Sequence, residues 1–234
     1  MSAARHSARA SPALQALAEA DPALAALSLW CRHRDGAETQ TTGTTITYGP
    51  DFTTLAMHEQ IGLAAHHILH VAFRHPARLA DLQERLGGGF DPETYNLAAD
   101  AVVNEALLCA DHALPRPAVT LTALLSKALG KTLTPQAALA EWDVDRLYYA
   151  LTGAQKGSGE AQGRARAYAQ EQEFEPDVKA APDETVEGQD VEHEARWRQH
   201  MARALEAGRQ AGRGLGQIGH LLSDVPEPHT AWEI

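Results

Sequence analysis

Four histidines fall within ten residues in the stretch LAAHHILHVAFRH, at His66, His67, His70 and His75. Imidazole ligates divalent metals in its neutral form and exchanges a proton near neutrality, so a cluster of them points to metal or acid-base chemistry. His66 and His70 are four residues apart. On a helix that spacing puts both rings on one face, where two ring nitrogens can converge on one ion. His67 lies about 100° round the helix from His66, and His67 with His70 forms an alternative i, i+3 pair. Glu59 shares the face of His66 and His70. His75 falls on the opposite side of a continuous helix and can join only if the helix ends near Phe73, which Pro76 favours. The alternative is a set of partly exposed histidines with no metal. Against it stands the apolar context, because burying a polar ring without a partner costs about 1–3 kcal/mol.

A second polar set lies some thirty residues on, in NLAADAVVNEAL. Asn96, Asp100 and Asn104 recur every four residues on a helix otherwise made of Ala, Val and Leu. They form one stripe, and a buried carboxylate in it needs a cation or several donors. If this helix packs against the histidine helix, Asp100 completes a His66-His70-Asp100 metal set, with Asn96 and Asn104 as further ligands or as supports for them. The competing reading is a network of Asn and Asp hydrogen bonds between helices, with no ion.

The elements that must position these residues are mostly helical. Ser11-Pro12 and Asp21-Pro22 read as two helix starts, each a cap followed by an N1 proline. Leu27 to Arg34 reads as partly extended. The threonine-rich Thr39 to Pro50, broken at Gly43, reads as a strand or small hairpin. Asp51 or Thr53 caps the histidine helix, which runs to about Arg74. A short amphipathic segment ends at Gly87-Gly88-Gly89. Asp91-Pro92 opens the Asp100 helix, and three shorter helices split at Gly130, Pro135 and Asp143 follow to Leu151. From Gly153 to about Asp190 the composition turns to Gly, Gln, Glu, Asp and Pro, the mark of a flexible acidic linker or loop on which a partner protein could dock. Helical spacing returns from Val191 to Gln210 and over Leu215 to Leu222. The expected architecture is mainly α with a small β-hairpin or sheet near the N-terminus and a metal site between two core helices.

This order of strand, H-x-x-x-H helix, N-L-A-A-D-x-x-x-N helix and Leu114-Pro115 resembles the bacterial metallopeptidase domain found N-terminal to a von Willebrand A-like domain. The matching residues are Tyr48 to Phe52, His66, His70, His75, Arg78, Asn96 to Asp100, Asn104 and Pro115, and the likeness extends to the last helices. The resemblance implies an α+β, zincin-like fold over 1–152 and C-terminal helices over 191–234 that pack back on the same domain, on either side of the acidic linker over 153–190 that composition marks. It also implies one divalent metal ion, zinc first, and a peptide or protein substrate; the extra histidine makes the site nitrogen-rich and suits iron or copper as alternatives. The family writes H-E-x-x-H, with the glutamate as general base. Here that position is His67, which makes His67 the candidate catalytic base.

Three functions follow: a metal-dependent hydrolase with altered acid-base machinery, a silent metal-binding pseudopeptidase that holds a peptide or partner, and a non-hydrolytic Fe or Cu enzyme using a nitrogen-rich site.

Composition narrows the field further. The net charge of −11 argues against nucleic acid as a partner, since phosphate recognition needs clustered Lys and Arg. Cys31 and Cys109 form neither a disulfide framework nor a thiolate metal site. No run approaches the ~18 apolar residues of a membrane span. The expected location is the cytoplasm.

Overall fold

The computed structural model describes residues 6–153, 159–180 and 191–222, with side chains in the last segment described from residue 195. The described residues begin with helices α1 (Ser11–Ala20) and α2 (Pro22–Ser28), then strands β1 (Arg32–Asp35), β2 (Gln40–Thr42) and β3 (Thr45–Tyr48). Next come α3 (Met57–Ala72), α4 (His75–Leu86), α5 (Pro92–Cys109), α6 (Leu121–Leu129), α7 (Pro135–Glu141), α8 (Val144–Thr152) and α9 (Glu160–Glu171). Strand β4 (Val178–Lys179) and helices α10 (Val191–Ala211) and α11 (Leu215–Ile218) complete the order. The chain is mainly helical with one small sheet, as its sequence patterning predicts.

Helix α5 is the centre of the core. Every residue from Thr94 to Leu107 is buried, and α3, α4, α6, α7, α8 and α9 all pack on it. A helix covered on all sides can keep a polar stripe only where that stripe meets partners. The sheet has the order β1-β3-β2-β4. β2 and β3 are the expected hairpin, antiparallel and turned at Gly43 with φ 57°. β1 is parallel to β3, and β4 is parallel to β2.

Several local expectations are corrected. Helix α2 runs on to Ser28, so the strand begins only at Arg32. Asp51 and Thr53 do not cap the histidine helix: they belong to a 3-10 turn over Pro50–Thr54, and the helix starts at Met57. Pro76 does not stop that helix either. The chain reverses at Arg74, which adopts the left-handed region at φ 58°, and Pro76 sits in the first turn of α4, where its missing N–H costs nothing.

The largest correction concerns the segment expected to be a flexible linker. Residues 159–180 form α9 and β4, with Ala161, Ala165, Tyr168, Ala169 and Val178 buried. These few apolar residues, spaced on one face, hold α9 to α6 and α8 despite the charged composition. The remainder of that segment, 154–158 and 181–190, lies outside the described residues.

Helix α10 packs against α2 and α11, and α11 also touches α5. Among the described residues, no helix is long and apolar enough to cross a membrane.

Candidate metal centre

Helix α3 packs against α5 and against β2 and β3. Gly62, buried in α3, permits a close approach of the backbone at Ala113: a Cβ there would stand 1.6 Å from the Ala113 carbonyl oxygen. The histidine-bearing turns that follow are thereby pressed between α5 and the sheet, and His66, His67, His70 and His75 are all buried.

Four donors converge. The Nε2 atoms of His66 and His70 lie 2.9 Å apart. Asp100 on α5 places Oδ1 3.4 Å from His70 Nε2 and Oδ2 3.9 Å from His66 Nε2. The fourth donor is Asp177, just ahead of β4, whose Oδ2 is 3.1 Å from His66 Nε2 and whose Oδ1 is 4.0 Å from His70 Nε2. One ligand atom from each of the four residues lies within 4.8 Å of the others. Donors around one tetrahedral ion at bond lengths of ~2.0–2.2 Å stand roughly 3.3–3.6 Å apart, so the cluster has the dimensions of a single-ion site.

The polar atoms left over make the same point. His67 Nε2, Asp100 Oδ1 and Asp177 Oδ1 are buried and accept or donate no hydrogen bond. Buried polar atoms are normally satisfied, and the two orphan carboxylate oxygens, both on donors of the cluster, are what a cation would satisfy. The donor set of two imidazoles and two carboxylates fits zinc, and equally iron or manganese.

Each imidazole is oriented from behind. Asn104 donates its side-chain amide to the Val119 carbonyl at 2.9 Å, which turns its Oδ1 to His66 Nδ1 at 2.8 Å. His66 must therefore carry its proton on Nδ1 and direct Nε2 into the cluster. His70 Nδ1 lies 2.9 Å from His75 Nδ1. With Nε2 of His70 turned to the cluster, its Nδ1–H donates to His75, whose backbone carbonyl in turn accepts from Tyr95 Oη at 3.1 Å. The reversal at Arg74 brings His75 back to α3, and it meets the rear of His70 rather than the donor cluster.

The remaining expected residues have definite places. Asn96 accepts from the Val178 N–H at 2.8 Å and so anchors the strand that carries Asp177. Glu59 accepts from the Ala56 N–H at 3.1 Å, at the first turn of α3, and is not part of the cluster. His67 places Nδ1 2.8 Å from Thr41 Oγ1 on β2, with Nε2 3.7 Å from Asp177 Oδ2.

The electrostatics are those of packed charges awaiting compensation. For His66, burial opposes protonation, but the carboxylates of Asp177 and Asp100 outweigh it and raise the pKa to about 9. For His67, burial dominates and lowers it to about 4. Burial, and then the charges of His66 and His75, hold His70 well below its ordinary value. Asp100 is pushed well above the carboxylate range by burial and by Asp177. Asp177 also meets a burial penalty, but His67 and His66 reverse it and keep its carboxyl low.

Two residues escape sequence reasoning, Asp177 and Thr41. Asp177 is one acid among many in its segment; the available signal is its setting in Pro176-Asp177-Val178, where a proline and a β-branched apolar residue interrupt the polar run. Thr41 is one of five threonines between Thr39 and Thr45.

Two clefts reach the cluster. One of about 170 Å³ is lined by His66, Asp100, Asn104, Val119 and Asp177. The other, of about 500 Å³, is lined by Gln40, Phe52, His67, Pro115 and Asp177.

Residues 5–234 match the family model described as "Putative metallopeptidase domain", and the chain belongs to that family. No curated protein and no solved structure matches it.

Proposed function

We propose that this member of the family is a zinc-dependent hydrolase of peptide bonds, with the metal held by His66, His70 and Asp100 and with Asp177 at the fourth position. The observation that carries the proposal is the convergence of the four donors within 4.8 Å, with both imidazoles oriented from behind. A zinc ion held there would supply Lewis acidity toward a carbonyl and a bound water.

The chain's own residues do the rest. Asn104 and His75 keep protons on the Nδ1 atoms of His66 and His70, so that the Nε2 atoms are the ones turned to a metal. His67 takes the general-base place that the family gives to glutamate. With a pKa of about 4 it is neutral at pH 7 and so able to accept a proton. Thr41 holds the other side of that ring. His67 is thus a weak base held by Thr41, in the place of a carboxylate.

One observation favours a second reading. Asp177 supplies a fourth protein donor, whereas catalytic zinc keeps one position for water, so a permanently closed set would make the protein a metal-binding pseudopeptidase.

Metal content of protein purified without added metal or chelator, by elemental mass spectrometry, comes first. About one equivalent of zinc in the wild type and none in His70→Ala supports the metal site, and cleavage of an unstructured peptide library by the zinc form supports the hydrolase. Zinc without cleavage moves the assignment to the pseudopeptidase. Iron or copper moves it to redox chemistry, and no metal sinks both enzyme readings.

A further inference from the structure

We infer that Glu175 to Lys179 occupy, within this chain, the furrow that takes an extended peptide substrate, with Asp177 as a displaceable donor. This rests on the proposed function and names how its site is filled at rest.

Strand β2 has β3 on one edge and β4 on the other, and the β4 pairing covers only two residues, Thr41 with Val178 and Thr42 with Lys179. The edge that β4 covers is the one beside the donors, since Thr41 Oγ1 touches His67 and the backbone N–H of Thr41 donates to the Asp177 carbonyl at 2.8 Å. An extended peptide that adds to a sheet edge gains affinity from such backbone bonds. Here a peptide on β2 would run past His67 and the metal ligands, and the chain's own residues already run there.

The clefts have the shape this requires. Those of about 170 and 500 Å³ share Leu63, Pro115, Glu175 and Asp177, so the segment around Asp177 lies in the wall between them. Beyond Pro117, Ala118 and Gln172 the first cleft meets a third, of about 1190 Å³. A furrow of that extent suits a chain, not a small metabolite.

The strap is short, paired with β2 over two residues. Besides the Thr41 bond, Asn96 Oδ1 accepts from the Val178 N–H, Val178 is buried, and Lys179 pairs with exposed Glu38 at 3.5 Å. The carboxylate faces the imidazoles of His66 and His67, and its Oδ1 has no hydrogen bond.

The test uses the zinc-loaded full chain, its Asp177→Ala and Asn96→Ala variants, and two zinc-binding probes, acetohydroxamate and Pro-Leu-Gly hydroxamate, titrated by calorimetry alongside metal content. The expected result is one zinc in all three proteins, acetohydroxamate bound about tenfold or more tighter by both variants than by wild type, and the peptidyl probe a further tenfold or more tighter in the variants only. Asn96→Ala opens the strap without touching a donor, so it guards against a folding defect in the other. Three results would overturn the inference while leaving the metal site standing: loss of zinc in Asp177→Ala, equal acetohydroxamate affinity in all three proteins, or no gain from the peptide. Wild-type protein without zinc would remove the proposed function, and this inference with it.

Discussion

Asn104 sets the tautomer of His66. Its amide nitrogen donates to the Val119 carbonyl, leaving only its oxygen to face His66 Nδ1 at 2.8 Å. The pair explains why a polar residue persists on a helix buried all round: the side chain is satisfied at both ends, and the imidazole is left able to offer Nε2.

Removing that support should weaken metal binding without removing a donor. Asn104→Ala should lower zinc affinity about 10–100-fold, the usual cost of losing an outer partner of a ligating histidine. Asn104→Asp keeps an acceptor for Nδ1–H and should retain most of the affinity. Competition with a chromophoric chelator reads both, and equal affinity in Asn104→Ala and wild type would refute the tautomer argument.

Zinc should also stabilise the fold, because the donors come from α3, α5 and the segment before β4, which are brought together only in the native state. At free zinc 100-fold above its Kd the gain is about 2.7 kcal/mol. At ~2–4 °C per kcal/mol for a chain of this size, Tm should rise ~5–10 °C, and His70→Ala should abolish the shift. A thermal melt that zinc does not move would count against the site.

The pH dependence has opposite signs for folding and for metal binding. His66 in metal-free protein has its pKa raised from 6.5 to about 9 by Asp177 and Asp100 against burial. A raised folded pKa contributes stability that is fully present below about 6.5 and is lost as pH rises towards about 9. Metal must displace that proton, so zinc affinity should climb over the same window and level off above it. Urea midpoints of chelator-treated protein and zinc affinities at several pH values between 6 and 9.5 test both slopes. A flat affinity profile would show that His66 carries no proton to lose.

Gly62 is a separate check on the packing that presses α3 into place. A Cβ would stand 1.6 Å from Ala113 O and 2.8 Å from Ala113 C, both backbone atoms that cannot rotate away. Gly62→Ala should therefore destabilise the protein by about 3 kcal/mol or more, despite alanine's better helix propensity. Denaturant unfolding measures it, and a neutral or stabilising result would mean that α3 and the loop at Ala113 do not approach so closely.

What was readable in the sequence was what regular helices dictate. The i, i+4 pair of His66 and His70 and the Asn96-Asp100-Asn104 stripe each lie on one uninterrupted helix, so periodicity alone gives their facing. Packing α3 on α5 then brings Asp100 to the histidines. Asp177 was not readable, because its place depends on two residues of strand pairing with β2 and on an Asn96 bond spanning 82 positions of sequence. His75 depends on one left-handed residue, Arg74, which no periodicity marks. The acidic composition of 153–190 hid α9 and β4, since the spaced alanines and Tyr168 that bury α9 are few beside the charges.

Position 67 is a histidine where the H-E-x-x-H pattern of the resemblance has a glutamate. His67 is 1% exposed, neutral with a pKa of about 4, and within 3.7 Å of Asp177 Oδ2. His67→Glu would restore a carboxylate base but set it against Asp177, and like charges in a buried site disfavour ionisation of one of them. With zinc bound, the ion's charge compensates both. The variant should therefore be less stable than wild type without metal, and should cleave peptides faster with it, by as much as the ~10²–10⁴-fold that proton transfer contributes. The gain should be larger in His67→Glu/Asp177→Ala, where the repulsion is gone. Cleavage rates on a denatured protein substrate, wild type against both variants, decide it. No gain in either variant would remove the hydrolase reading of position 67, and a native activity lost in both would place His67 in a different chemistry.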